Sequence, residues 1–216
     1  MPRRLLLMFG TALTALLLSS GCQTAYYGVM EAFGVEKRDL LRKAVQLARD
    51  HQKETGKEFQ DALARLQSLY GGTGSDLEKT YTRLKADLET CRAGTEDVRK
   101  RIRSMDEVAD DLFAEWQSEI GKFTNPTFAQ DSRRKLEDTR ARYRQLSGSL
   151  KAAQSSMDPV LRSFEEHVLY LKHNLNASAI GSLKGEAGRI ERQIQDLLKQ
   201  MNGSIAEADT FIRTLG

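Results

Sequence analysis

LEKTYTRLKADLETCRAGTEDVRKRIRSMDEVADDLFAEW, residues 77–116, decides the fold. Steps of alternately three and four residues pick out Leu77, Tyr81, Leu84, Leu88, Cys91, Thr95, Val98, Ile102, Met105, Ala109, Leu112 and Trp116, and only Thr95 is polar. That alternation is a 3.5-residue repeat, which on a helix draws one unbroken apolar seam. Held over so many turns, it predicts a single long helix whose seam winds left-handedly round a partner. Trp116, at the end of the seam, is expected to be largely buried.

Three further segments carry the same repeat. The first runs Leu41, Val45, Ala48, Gln52, Thr55, Phe59, Ala62, Leu66 and Leu69. A third follows as Leu136, Thr139, Tyr143, Leu146, Leu150, Ala153, Met157, Val160, Phe164, His167 and Leu171, and a fourth as Ile180, Leu183, Ala187, Ile190, Ile194, Leu197, Met201, Ser204, Ala208, Phe211 and Leu215. Each seam is mostly apolar, so each segment reads as a helix with one face to bury. The breaks between them are legible too. Gly71, Gly72 and Gly74 end the first helix, and Ser75 followed by Glu78 forms a capping box for the second. Asn125-Pro126, within the 121–127 break, suits a turn and a helix start. Asn174 and Asn176 mark a softer third break. Pro159 lies inside the third segment, but the spacing runs through it unshifted, which predicts a kink rather than a loop.

Helices are therefore expected at about 37–70, 76–120, 127–174 and 177–215. Short connections make neighbours antiparallel, so the predicted fold is all-α: an elongated antiparallel up-down-up-down four-helix bundle with coiled-coil packing. The composition agrees, with 29% charged residues and three prolines in 216 residues. In such a rod the anchor-proximal end would hold the start of the first helix, the 121–127 break and residue 215. The 71–75 and 170–178 stretches would meet at the far tip.

Residues 1–21 have the layout of an export leader: Arg3 and Arg4, an apolar run of about 14 residues, then Ser19-Ser20-Gly21 before Cys22. A spanning helix needs roughly 20 apolar residues, so the leader is expected to be cleaved. Cys22 after a small residue resembles the lipobox of bacterial lipoproteins, although Ser19 stands where that motif usually has leucine. The reading is acylation at Cys22, a juxtamembrane segment at 22–36 and the bundle at 37–216. Gln23 lacks the aspartate that marks inner-membrane retention in such proteins, which favours the periplasmic face of the outer membrane. The aromatic stretch Tyr26, Tyr27 and Phe33 reads as a short cap over the open end of the bundle, with insertion at the lipid headgroups as the other reading.

Loss of Arg3 and Arg4 leaves 31 basic against 30 acidic residues. No net field then draws the chain to nucleic acid, and the basic residues at 133–144 alternate with Glu137 and Asp138 as on a solvated face. With Cys22 acylated, Cys91 stands alone on a seam, as a small buried hydrophobe. His51, His167 and His173 lack metal-site spacing, and His167 reads as a core histidine with both ring nitrogens satisfied. Neither a phosphate loop nor a GxSxG elbow is present. Hence no catalytic residue, metal or cofactor is assigned, and the chain is not expected to be an enzyme. Tyr170, Lys172, His173, Asn174 and Asn176 form its densest polar and aromatic cluster, a candidate partner-binding tip on a rigid scaffold.

Two short runs are more particular than a coiled-coil pattern requires: Cys22 to Tyr27 with Gly34 to Asp39, and Val168 to Ala177. In them the chain resembles the domain-of-unknown-function 2959 family of Gram-negative lipoproteins, across about residues 22–216. The resemblance implies a helical lipoprotein, with no assigned activity or cofactor. The functional expectation is a structural or partner-binding envelope rod with an envelope protein as partner, self-association being left open. The alternative is a sensing or carrier bundle holding a small apolar molecule where the seams thin at Ala48, Thr55, Ala153, Ser204 and Ala208.

Overall fold

The computed structural model describes residues 37–71, 77–174 and 177–215. The leader, Cys22, the 22–36 segment, Ser75 with the 72–76 stretch, and Asn176 lie outside the described residues. Five helices follow in order: α1 (Lys37–Gly71), α2 (Leu77–Ile120), α3 (Pro126–Ser155), α4 (Met157–His173) and α5 (Ala177–Thr214). The described chain is all-α, with no strand.

The single helix expected over 127–174 is two helices. Ser156, alone in turn conformation at φ −75° and ψ −12°, separates α3 from α4. Pro159 is the cause: it has no N–H to give the Ser155 carbonyl, and its ring crowds that same carbonyl. The break leaves the seam in phase, because Met157, Val160 and Phe164 on its far side are all buried. At the other end of α3, Asn125 caps the helix. Its Oδ1 accepts from the Thr127 and Phe128 amides at 2.9 and 3.4 Å, and Pro126 takes the first helical position, where an N–H would be orphaned anyway.

The seams are where the core lies. Every seam position named for α1, and every one from Leu136 through Leu171, is buried. On α2 the buried run is Leu84 through Leu112, while Leu77, Tyr81 and Trp116 are half-buried against the core. Trp116 is thus less enclosed than expected, because its Nε1 reaches out to Ser132 Oγ at 2.8 Å and the Arg38 guanidinium lies over its ring. Burial of each leucine or phenylalanine contributes about 1.5–3 kcal/mol. Polar seam residues mostly satisfy themselves locally: Thr95 donates to Cys91 O at 2.7 Å, Thr139 to Lys135 O at 2.8 Å and Ser204 to Met201 O at 2.9 Å. Gln52 differs: its side chain is fully buried, and neither amide atom has a partner among the described residues. His167 donates through Nδ1 to Ser163 O at 2.8 Å, but its Nε2 has no partner among the described residues, contrary to expectation.

Cross-helix pairs set the alignment. Lys37 pairs with Glu115 at 3.1 Å and Arg65 with Asp87, so numbers fall along α2 as they rise along α1. The same holds from α1 to α5, through Arg49 with Asp209 and Gln67 with Glu191. From α2 onward, Trp116 meets Ser132, Arg99 meets Asp158 and Arg92 meets Glu165. Gly94 allows α1 and α2 their close approach: a Cβ there would fall within 2.6 Å of Thr55 Oγ1 and closer still to Glu58 Oε2.

Candidate functional site

The last turn of α4 gathers the residues singled out in the sequence. Tyr170 is 39% exposed, its neighbour Leu169 is 55% exposed, and Lys172 and His173 are exposed beside them. Glu165 lies against Arg92, in the first half of α2, so α4 runs from there toward the end of the molecule where α2 begins. Asn174 has a different task. Its backbone N–H donates to Leu171 O at 3.2 Å and its Nδ2 to Tyr170 O at 3.0 Å, which closes the helix on free carbonyls. Lys172 and His173 in the last turn also complement the negative end of the helix dipole. What remains for recognition is an apolar pair with a cation and an imidazole alongside. Such groups can make apolar contacts and hydrogen bonds; no nucleophile stands with a base among them.

A second arrangement lies at the edge of the third seam, around Tyr143. Between α2 and α3 runs a groove of about 650 Å³, floored by Phe113 and Tyr143 and edged by Arg140, Arg144 and Lys151. Asp106 ties it together. Its Oδ1 accepts from Tyr143 Oη at 2.7 Å and Ser147 Oγ at 2.8 Å, and its Oδ2 pairs with Lys151 Nζ at 2.8 Å. Burial by itself would raise the Asp106 carboxyl, but the hydrogen bonds from Lys151, Tyr143 and Ser147 outweigh it and hold the group below the ordinary aspartate value. Burial first, and then the bond to Asp106, push the Tyr143 hydroxyl up. Tyr143 also meets Phe113 and Phe211 edge to face, at 5.6 and 5.9 Å between centroids. The four-residue spacing of Tyr143, Ser147 and Lys151 was a sequence signal for this strip, but the carboxylate it faces comes from another helix.

A smaller recess of about 280 Å³ lies between α3 and α5, at Leu146, Phe211 and Glu207. Neither recess is lined by Ala48, Thr55, Ala153, Ser204 or Ala208, where the seams thin. Cys91 is fully buried, and burial, followed by the charges of Glu58, Asp87 and Asp61, pushes its thiol up to about 12, so it stays protonated. Among the described residues no three His, Cys, Asp or Glu side chains gather as metal ligands would, and no helix is long and apolar enough to cross a membrane.

No curated protein and no solved structure matches the chain. One family does: residues 26–215 match the family described as protein of unknown function (DUF2959), nearly the whole length. The chain belongs to that family.

Proposed function

We propose that this protein is a lipid-anchored envelope rod, an antiparallel up-down-up-down four-helix bundle with heptad packing, that meets a protein partner through the end of α4. In that architecture α3 and α4 together form the third stave. The reversed order of the cross-helix pairs and the burial of the seam positions support it. At 44 residues, α2 corresponds to a rod of about 65 Å. Cys22 is the anchor, and the outer membrane's periplasmic face is the address that Gln23 favours.

One observation carries the partner reading: with the inner faces consumed, Leu169 and Tyr170 still stand exposed together at the tip, beside Lys172 and His173. Adjacent exposed apolar side chains on a rigid end are what a protein contact uses. The test is site-specific photocrosslinking from position 170 in intact cells, with Glu107 as a mid-rod control. The expected result is one discrete adduct from 170, absent from 107, and lost in Lys172→Ala/His173→Ala while the chain stays folded with at most a small drop in melting temperature. Equal adducts from both positions, or capture that survives the double substitution, would overturn it. A Cys22→Ala form that stays as firmly membrane-bound as the parent would overturn the anchor.

A further inference from the structure

Among the described residues the exposed large apolar side chains are Leu47, Phe123, Phe128, Leu169 and Tyr170. Two belong to the tip. Two others stand together at the opposite end, on either side of the Asn125 cap: Phe123 at 46% and Phe128 at 61% exposure. Nothing in the fold calls for them there. The turn is closed by backbone bonds from Gly121, Lys122 and Phe123 back to Ser118, Glu119 and Ile120, and Ile120 already seals the core at 2% exposure. A helix start capped by Asn125 and Pro126 gains nothing from an aromatic ring held in water.

Their position supplies the reason. The start of α1 lies against the last turns of α2, through Lys37 with Glu115 at 3.1 Å and Arg38 at 5.5 Å over the Trp116 ring. The chain therefore enters the bundle at the end that carries the two phenylalanines. Cys22 precedes Lys37 by only 15 residues, a tether of at most about 50 Å and less if it is not fully extended. A lipid anchor on that tether holds this end of the rod near the bilayer. Phe123 and Phe128 beside Lys122 have the composition of an interfacial contact, with rings at the level of the acyl boundary and a cation for the phosphates.

We propose that the 121–128 turn is a membrane-contact surface in which Phe123 and Phe128 enter the headgroup region beside the anchor. This rests on the lipid-anchor reading above. The contact holds the rod end-on to the bilayer, an orientation that attachment at Cys22 does not by itself impose. It also adds a second, weak membrane attachment to the acyl chains, of the kind a lipidated protein uses to fix its orientation.

The experiment uses an environment-sensitive maleimide fluorophore, since Cys91 is buried and Cys22 is either acylated or replaced. The label goes at F128C, with L169C as the far-end control, in the mature chain on vesicles of phosphatidylethanolamine and phosphatidylglycerol. The expected result is emission at 128 that rises on the vesicles and is quenched by lipids spin-labelled near the carbonyls, with 169 unaffected. In the unacylated C22A chain, F123S/F128S should lower partitioning to the same vesicles by about tenfold or more. Equal insensitivity at 128 and 169 overturns the proposal. So does a label at 128 that is already shielded without vesicles, because residues 25–35 would then be what covers the turn. The intact mass of the membrane-extracted chain decides the anchor separately. A mass without acyl groups removes the anchor, while partitioning of the C22A chain still decides the turn.

Discussion

Replacing Asp106 with alanine tests the tie between α2 and α3. The carboxylate holds three donors, and their fates differ. Lys151, 55% exposed at its side chain, returns to water, and a pair of that kind contributes less than about 1 kcal/mol. Ser147 can turn its hydroxyl to the carbonyl one helical turn back, at small cost. Tyr143, 6% exposed between Phe113 and Phe211, has no such retreat. Its hydroxyl is left buried and unpaired, at about 1–3 kcal/mol. The expected loss for Asp106→Ala is thus about 2–4 kcal/mol in urea unfolding of the mature chain followed by circular dichroism. If the stranded hydroxyl dominates, the same substitution in a Tyr143→Phe background costs about 1–2 kcal/mol less. Equal costs in both backgrounds would refute the reasoning. Acid supplies a second check. The folded chain holds the Asp106 carboxyl below its ordinary value, so the stability it contributes is whole above roughly pH 4 and is lost as pH falls through the folded value. The stability gap between the parent and Asp106→Asn should accordingly narrow on acidification below about pH 4.

Three further outcomes follow from the core. Gln52→Leu should raise stability by about 1–3 kcal/mol, because it removes a fully buried amide that has no partner among the described residues; an unchanged or lower urea midpoint contradicts that. Gly94→Ala should cost about 1–3 kcal/mol by driving a methyl into Thr55 and Glu58, and a neutral result would mean that α1 and α2 can part without loss. In a Cys22→Ala chain, Cys91 should resist a thiol reagent at neutral pH and react on unfolding; modification at the rate of a free thiol in the native state would contradict its burial.

Periodicity carried the core because burial follows from spacing alone. Gln52 and His167 are polar, yet both were assigned to seams and both are buried. What the spacing could not give was the cut at Ser156, since Pro159 broke hydrogen bonds without shifting the register. It also could not give Asp106, which stands beside the seam residue Met105 and acquires its donors only when α3 lies alongside. At the tip, the exposed cation and ring of Lys172 and Tyr170 were legible as surface. Asn174, grouped with them in sequence, spends its amide on the Tyr170 carbonyl. Phe123 and Phe128 were unreadable, because an aromatic ring near a turn gives no sign of whether the fold will cover it.

The cut at Ser156 reaches beyond geometry. Helical hydrogen bonds make neighbouring turns open together, and an interruption divides that cooperation. The 17-residue α4 is therefore its own opening unit, held to α2 and α5 by side chains but joined to α3 by little more than the Ser156 backbone and the shared seam. Amide hydrogens in α4 should exchange faster than those in α3, though α4 also buries large side chains in the core, Met157, Phe164 and Leu171 among them. A load applied at Tyr170 would then be relieved by the release of one short helix, and the long staves would keep their zip.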